Sequence, residues 1–163
     1  MGRSVVLIGF MGSGKSTLGR LLSKQLGLDF VDLDEWIEQR EGQSVASPFA
    51  ERGEPGFRQA ERQALADCMT GSSPIVLACG GGTPCQPGLL DALLDWGEVL
   101  FLDVPLEALK RRSLPGRPLW DVSVEERYIE RQPLYRRAPI HLDGTLPPEV
   151  LVAAAVRGLE LRQ

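Results

Sequence analysis

The stretch SVVLIGFMGSGKST, residues 4–17, decides how the rest of the chain is read. Ser4 to Ile8 is a short β-branched apolar run closed by Gly9, the pattern of a strand buried on both faces. Gly9 to Ser16 then satisfies G-x-x-x-x-G-K-[ST]. Leu18, Leu21, Leu22 and Leu26 recur behind it at helical spacing, and Gly27 is a natural stop. Strand, glycine-rich loop and helix in this order make a phosphate cradle. The glycines let backbone N–H groups turn inward around phosphate oxygens, and the helix N-terminus adds its positive end. Gly12, Ser13 and Gly14 form the loop, Lys15 reaches the β and γ phosphates, Ser16 offers a hydroxyl to Mg²⁺, and Thr17 completes the nucleotide-binding set. A chance glycine-rich turn would need neither the lysine nor the flanking strand and helix. The signal supports nucleotide binding and leaves open what receives the phosphate.

Outward from that stretch, apolar runs alternate with helical patterns. Asp29 to Leu33 reads as a second strand. Trp36 to Arg40 and Val45 to Arg52 read as short helices, the latter stopped by Gly53. Pro55 to Met69 reads as a longer helix, with proline tolerated at its start. Ile75 to Cys79 is a third strand, ended by three glycines. Leu89, Leu90, Leu93 and Leu94 mark another helix, Val99 to Leu102 a fourth strand, and Leu106 to Arg112 a short helix. Ser123 stands three before Glu126, a capping-box start. That helix is expected to end near Arg131, because Gln132 precedes Pro133 and is biased away from helical geometry. Ile140 to Leu142 is a fifth strand, and Val150 to Leu161 a closing helix. This alternation gives one α/β domain over residues 1–163, with a parallel sheet and helices on both faces. Ligands then belong at the carboxyl ends of the strands.

The acceptor side follows from that placement. Asp32 and Asp34 alternate at the end of the second strand, where period-two spacing points both to one face near the phosphate loop. One carboxylate can hold the water shell of Mg²⁺, and the other can orient a hydroxyl acceptor and take its proton. Gly80, Gly81 and Gly82 let a ligand touch the backbone, where a plain turn needs one glycine. Arg58, early in a helix, is by itself no more than a surface arginine. Arg117 lies in a Pro- and Gly-interrupted stretch expected to form a mobile lid (113–123), from which an arginine can close over a transferring phosphoryl group. Residues 35–62 would carry the substrate-binding helices. Arg137 reads as a solvated helix-end charge.

With 163 residues, the chain has the length of one domain. Its 18 Lys and Arg against 22 Asp and Glu give a net charge of −4, unlike the basic balance usual in nucleic-acid binders. Arginine is concentrated all the same: Arg111, Arg112, Arg117, Arg127, Arg131, Arg136 and Arg137 fall within 27 residues, a pattern suited to small anions. No apolar run is long enough for a membrane span, and the first residues match neither a secretory signal nor a myristoylation site. The chain therefore reads as cytoplasmic, with no nucleic-acid or membrane partner. Cys68, Cys79 and Cys85 match no zinc or redox spacing and read as reduced, small apolar residues. The single histidine, His141, reads as a strand residue.

Together these segments resemble the shikimate kinase family. The resemblance runs from about Val5 to about Asp143. It rests on GFMGSGKSTLGR (9–20), FVDLDEWIE (30–38), FAERGEPGFRQAE (49–61), GGG (80–82), RPL (117–119) and PLYRR (133–137). It implies a small P-loop kinase, usually a cytoplasmic monomer, with a five-stranded parallel sheet of order 2-3-1-4-5. Such a kinase moves the γ-phosphate of ATP, with Mg²⁺, to the 3-hydroxyl of shikimate on the way to chorismate and aromatic amino acids. It further implies that Asp34 holds the acceptor hydroxyl, with Asp32 near Mg²⁺. Arg58 and Arg136 would pair with the shikimate carboxylate, Gly80 to Gly82 would contact its ring, and Arg117 would reach the phosphates. The chain departs from the family pattern at Trp120, at Thr83-Pro84-Cys85 and in the loop 143–148. The arginine that stacks on adenine stays open between Arg111 and Arg112. Competing readings are a gluconate-type kinase, whose substrate also carries a carboxylate, and a nucleotide-binding relative without catalysis. A guanine-reading N-K-x-D is absent, and Lys15, Asp34 and the arginines are all present.

Overall fold

The first strand, β1 (Ser4–Ile8), is buried along its whole length, as its unbroken apolar run predicts. It carries two cores, because its side chains alternate between the faces of the sheet. Val5 and Leu7 join Leu18, Leu22, Leu151 and Ala155 on one face, while Val6 and Ile8 join Leu65, Leu93 and Tyr135 on the other. A computed structural model describes residues 2–41, 46–112 and 123–163. The expected lid (113–123), with Arg117 and Trp120, lies outside the described residues except for Ser123.

The remaining elements follow in chain order. They are α1 (Lys15–Leu26), β2 (Asp29–Asp32), α2 (Leu33–Glu41), α3 (Ala46–Met69), β3 (Ile75–Ala78), a 3₁₀ turn (Thr83–Cys85), α4 (Leu89–Trp96), β4 (Gly97–Asp103), α5 (Leu106–Arg111), α6 (Val124–Tyr135), β5 (Ile140–Asp143) and α7 (Pro148–Glu160). The five strands form one sheet in the order β2-β3-β1-β4-β5, all pairs parallel. Helices α1 and α7 pack on one face and α2 to α6 on the other, with β1 central.

Three local expectations need correction or refinement. The two helices expected either side of Gly53 are joined in α3, and Gly53 sits between them at φ 69° and ψ −175°, outside helical geometry. Helix α6 does not stop before Pro133 but runs on to Tyr135, and Ser123 makes no side-chain cap. Pro133 is exposed, and so is Ile129, whose carbonyl loses its partner; water can supply what the missing N–H does not. Buried Tyr135 anchors the last turn. The second strand ends at Asp32, one residue early, because Leu33 already begins α2.

Candidate active site

The loop between β1 and α1 takes its shape from glycine. Gly9, Gly12 and Gly14 stand at φ 153°, 80° and 101°, where a side chain would be strained. No side chain caps α1, and its first turn holds no acidic residue. Its free N–H groups and positive end therefore face the cleft without a protein anion to satisfy them. Lys15 is buried, and its Nζ donates to the carbonyls of Gly9 at 2.8 Å and Phe10 at 2.9 Å. Ser13 is buried in the same loop. A cleft of about 280 Å³ opens here, lined by Gly12, Gly14, Lys15, Ser16 and Thr17 on the loop side. Asp32, Asp34, Gly80, Gly81 and Arg112 line the opposite side.

Asp32 and Asp34 reach this cleft by a different route than strand alternation. Asp32 ends β2 and its Oδ1 accepts the backbone N–H groups of Asp34 at 3.0 Å and Glu35 at 3.2 Å, capping α2. Its Oδ2 accepts the hydroxyl of Ser16. Asp34 is aimed by the first turn of α2. Burial, then the charges of Glu61 and Asp32, push its carboxyl up to about 6, with Lys15 pulling the other way. Asp32 and Ser16 set two hard oxygen donors beside the phosphate loop, which fits Mg²⁺ and its habit of taking few protein ligands plus phosphates.

The glycine turn after β3 is close-packed by the protein itself. A Cβ on Gly80 would fall 2.7 Å from Glu61 Oε2 and 3.1 Å from Asp34 Oδ1. One on Gly82 would fall 2.5 Å from both terminal nitrogens of Arg58. Gly80 and Gly82 thus leave room for Glu61, Asp34 and Arg58 to come up to the backbone. Arg58 pairs with Glu61 and, at 3.6 Å, with Glu54; its side chain is 16% exposed.

The second arginine at this turn is not Arg136. Arg136 lies at the end of α6 with a side chain 56% exposed, 3.9 Å from Asp103. Arg131, one turn earlier, is buried, and its Nη1 stands 3.4 Å from where a Gly81 Cβ would be. That nitrogen has no hydrogen-bond partner among the described residues. The guanidinium lies over the Phe10 ring, 5.6 Å from its centroid. Beside it the Tyr135 hydroxyl donates to the Gly81 carbonyl at 2.5 Å. A buried guanidinium with one nitrogen unpartnered among the described residues, beside a backbone turn, has a donor that an anion could take. The helical period carries the signal: Val124, Arg131 and Tyr135 share the buried face, and Arg136 falls a step off it. Ending the helix at Arg131 hid that relation.

Of the two candidates at the adenine side, Arg112 donates to the carbonyls of Ser13 at 3.2 Å and Gly144 at 2.9 Å, bridging the phosphate loop to loop 143–148. Arg111 ends α5, exposed. Arg117 lies outside the described residues. Cys79 sits in the cleft floor, where burial pushes its thiol far up and leaves it a neutral apolar filler. His141 is an exposed strand residue, and Arg137 is a surface charge paired with Asp91.

The family model described as shikimate kinase matches residues 11–157 of this sequence. The chain belongs to the shikimate kinase family. A shikimate kinase of Aquifex aeolicus (strain VF5) is 36% identical over 163 residues, 96% of this chain and 95% of that protein. A structure described as shikimate kinase from Acinetobacter baumannii in complex with shikimate superposes with a TM-score of 0.92 at 30% identity, covering 100% of this chain and 96% of that one. A gluconokinase structure from Sinorhizobium meliloti 1021 reaches a TM-score of 0.68 at 20% identity over 98% of this chain and 92% of that one, a likeness of fold alone. The fold places Lys15, Ser16, Asp32, Asp34, Arg58 and the glycine turn close together, and of Arg111 and Arg112, between which the sequence left the choice open, it brings Arg112 to the cleft. It adds Arg131, Glu61 and Thr83, and sets Arg136 apart.

Proposed function

We propose that this chain transfers the γ-phosphoryl group of ATP to the 3-hydroxyl of shikimate. The observation that carries the reading is that two arginines come up to the glycine turn, Arg58 at Gly82 and Arg131 at Gly81, with Asp34 beside Gly80. Two guanidinium groups take a carboxylate in fixed geometry, and a carboxylate across from them takes a hydroxyl. An acceptor that carries both groups is held at two ends. Gluconate also has both, but the family match over residues 11–157 favours shikimate, and the gluconokinase likeness is one of fold alone.

Phosphoryl transfer asks the protein for position and charge rather than covalent chemistry. The glycine loop and the N-terminus of α1 hold the phosphates. Lys15 leaves its loop carbonyls to meet the charge on the γ-phosphoryl oxygens. Asp34 accepts the hydroxyl's hydrogen bond and aligns it for in-line attack; a carboxyl near 6 is a better base at neutral pH than an ordinary aspartate. Ser16 and Asp32 would hold Mg²⁺, which when bound neutralises charge between the β- and γ-phosphoryl oxygens. Arg112 braces the nucleotide side of the loop. For Arg117, closure over the phosphates rests on the sequence alone. The reading includes a monomer working in the cytoplasm, and size-exclusion chromatography tests the first of these; among the described residues, no helix is long and apolar enough to cross a membrane.

Arg131→Met and Arg136→Ala separate the two arginines. Losing a charge-assisted pair costs about 1.5–3 kcal/mol, so Arg131→Met should raise the shikimate KM about 10- to 100-fold and leave the ATP KM in place. Arg136→Ala should change neither. Steady-state kinetics of both variants against both substrates checks this; the reverse pattern would return the carboxylate to Arg136.

A further inference from the structure

Behind the arginine that faces the acceptor stands a carboxylate with no access to solvent. Glu61 is fully buried, and three donors hold it. Thr83, also fully buried, donates its hydroxyl to Oε2 at 2.6 Å. The Arg58 guanidinium and the Gln86 side-chain amide, the latter at 3.2 Å, donate to Oε1. Arg58 and Glu61 lie on α3, whereas Thr83 and Gln86 follow the glycine turn, so this one carboxylate ties the helix to the turn. Oε2 of Glu61 comes up to Gly80 and the Arg58 guanidinium to Gly82, where the lack of a Cβ leaves room for them. A buried carboxylate stripped of one donor turns toward those that remain, because an underpaired charge in an apolar interior is costly.

We propose that Thr83, seconded by Gln86, is a positioning residue for the acceptor's carboxylate. Its hydroxyl fixes one oxygen of Glu61, and so the orientation in which Glu61 presents the Arg58 guanidinium against Gly82. The proposal rests on the reading of Arg58 given above and extends it to the segment Thr83-Pro84-Cys85 that follows the glycine turn. Thr83 touches none of the reacting groups in this arrangement. Its influence falls first on acceptor binding; because Glu61 also neighbours Asp34, a smaller change in turnover goes with it.

The test is steady-state kinetics, with shikimate and MgATP varied in turn, on Thr83→Val, Thr83→Ser, Gln86→Leu, Arg58→Ala and the double variant Thr83→Val with Arg58→Ala. Valine keeps the shape of threonine and loses the donor. Thr83→Val should raise the shikimate KM about 10-fold, the weight of one hydrogen bond to a charged group, with the ATP KM held and any change in kcat smaller. Thr83→Ser, which keeps the hydroxyl, should restore it. On the Arg58→Ala background the valine should add less than about twofold, since its effect passes through that guanidinium. A raised KM in Arg58→Ala beside an unchanged KM in Thr83→Val would overturn the proposal, as would equal losses in the shikimate and ATP constants or full additivity in the double variant. If Arg58→Ala itself binds shikimate normally, it is the carboxylate role of Arg58 that fails. Should Thr83→Val not fold, Gln86→Leu carries the test, since it removes the other neutral donor from a half-buried position; an unchanged shikimate KM there would overturn the proposal equally.

Discussion

Asp34→Asn is expected to lose about 10²- to 10⁴-fold in turnover, the usual weight of a positioned proton acceptor, and yet to melt at a higher temperature than the parent protein at pH 7. The two effects have one cause. Asp34 is held near Glu61 and Asp32 with little water, and its carboxyl rises from 3.8 to about 6. A group whose folded pKa is raised stabilises the fold only while protonated. That stability is complete below about pH 4 and is lost as the pH climbs through about 6. At neutral pH the ionised carboxylate therefore costs the fold on the order of 2–3 kcal/mol, which asparagine does not incur. Thermal melts in metal-free buffer should give the variant a Tm several degrees above the parent at pH 7, with the gap closing as the pH is brought down to about 4. A variant that melts lower at pH 7 would remove the crowded-carboxylate account, and one with parental turnover would remove Asp34 from the acceptor. Function here is kept at the expense of stability, as is common where like charges are gathered at a reacting centre.

Lys15→Met should abolish measurable transfer while the circular dichroism spectrum stays that of the parent. Lys15 projects from the first position of α1 back onto the carbonyls of Gly9 and Phe10, so its ammonium is held by polar groups of the phosphate loop. Methionine fills the same length without the charge or its three donors. Removing one preorganised donor from a developing charge costs about 10²–10³-fold. Here the loss deepens, because Lys15 is also the neighbour that holds the Asp34 carboxyl down. Release of ADP in a coupled assay, read beside the far-ultraviolet spectrum, checks both halves. Ordinary turnover in a folded variant would contradict the phosphate role of the loop.

Much of this was legible in the chain because local signals agreed with each other. Ser4 to Ile8 could only be a buried strand. The glycines at 9, 12 and 14 mark backbone angles that other residues resist, and Gly27 ends its helix where expected, while Gly53 breaks helical geometry within α3. What stayed hidden depended on contacts distant in sequence. Glu61 looks like any solvated helix residue until Thr83 and Gln86, more than twenty residues on, close over it. Arg131 and Arg136 are both arginines beside PLY, and their difference is a helical rotation. A proline rule that ended α6 at Arg131 erased it, because the rule is blind to whether the freed carbonyl meets water. Asp32 and Asp34 arrived in the right cleft for a partly wrong reason: a helix cap, not strand alternation, sets their directions.

Whether this cleft phosphorylates shikimate is read directly from ADP release by the purified chain with MgATP and, in separate reactions, shikimate, gluconate or no acceptor. The account predicts rapid release with shikimate alone, little more than background with gluconate, and background without an acceptor. Release driven by gluconate, or release indifferent to any acceptor, would contradict it.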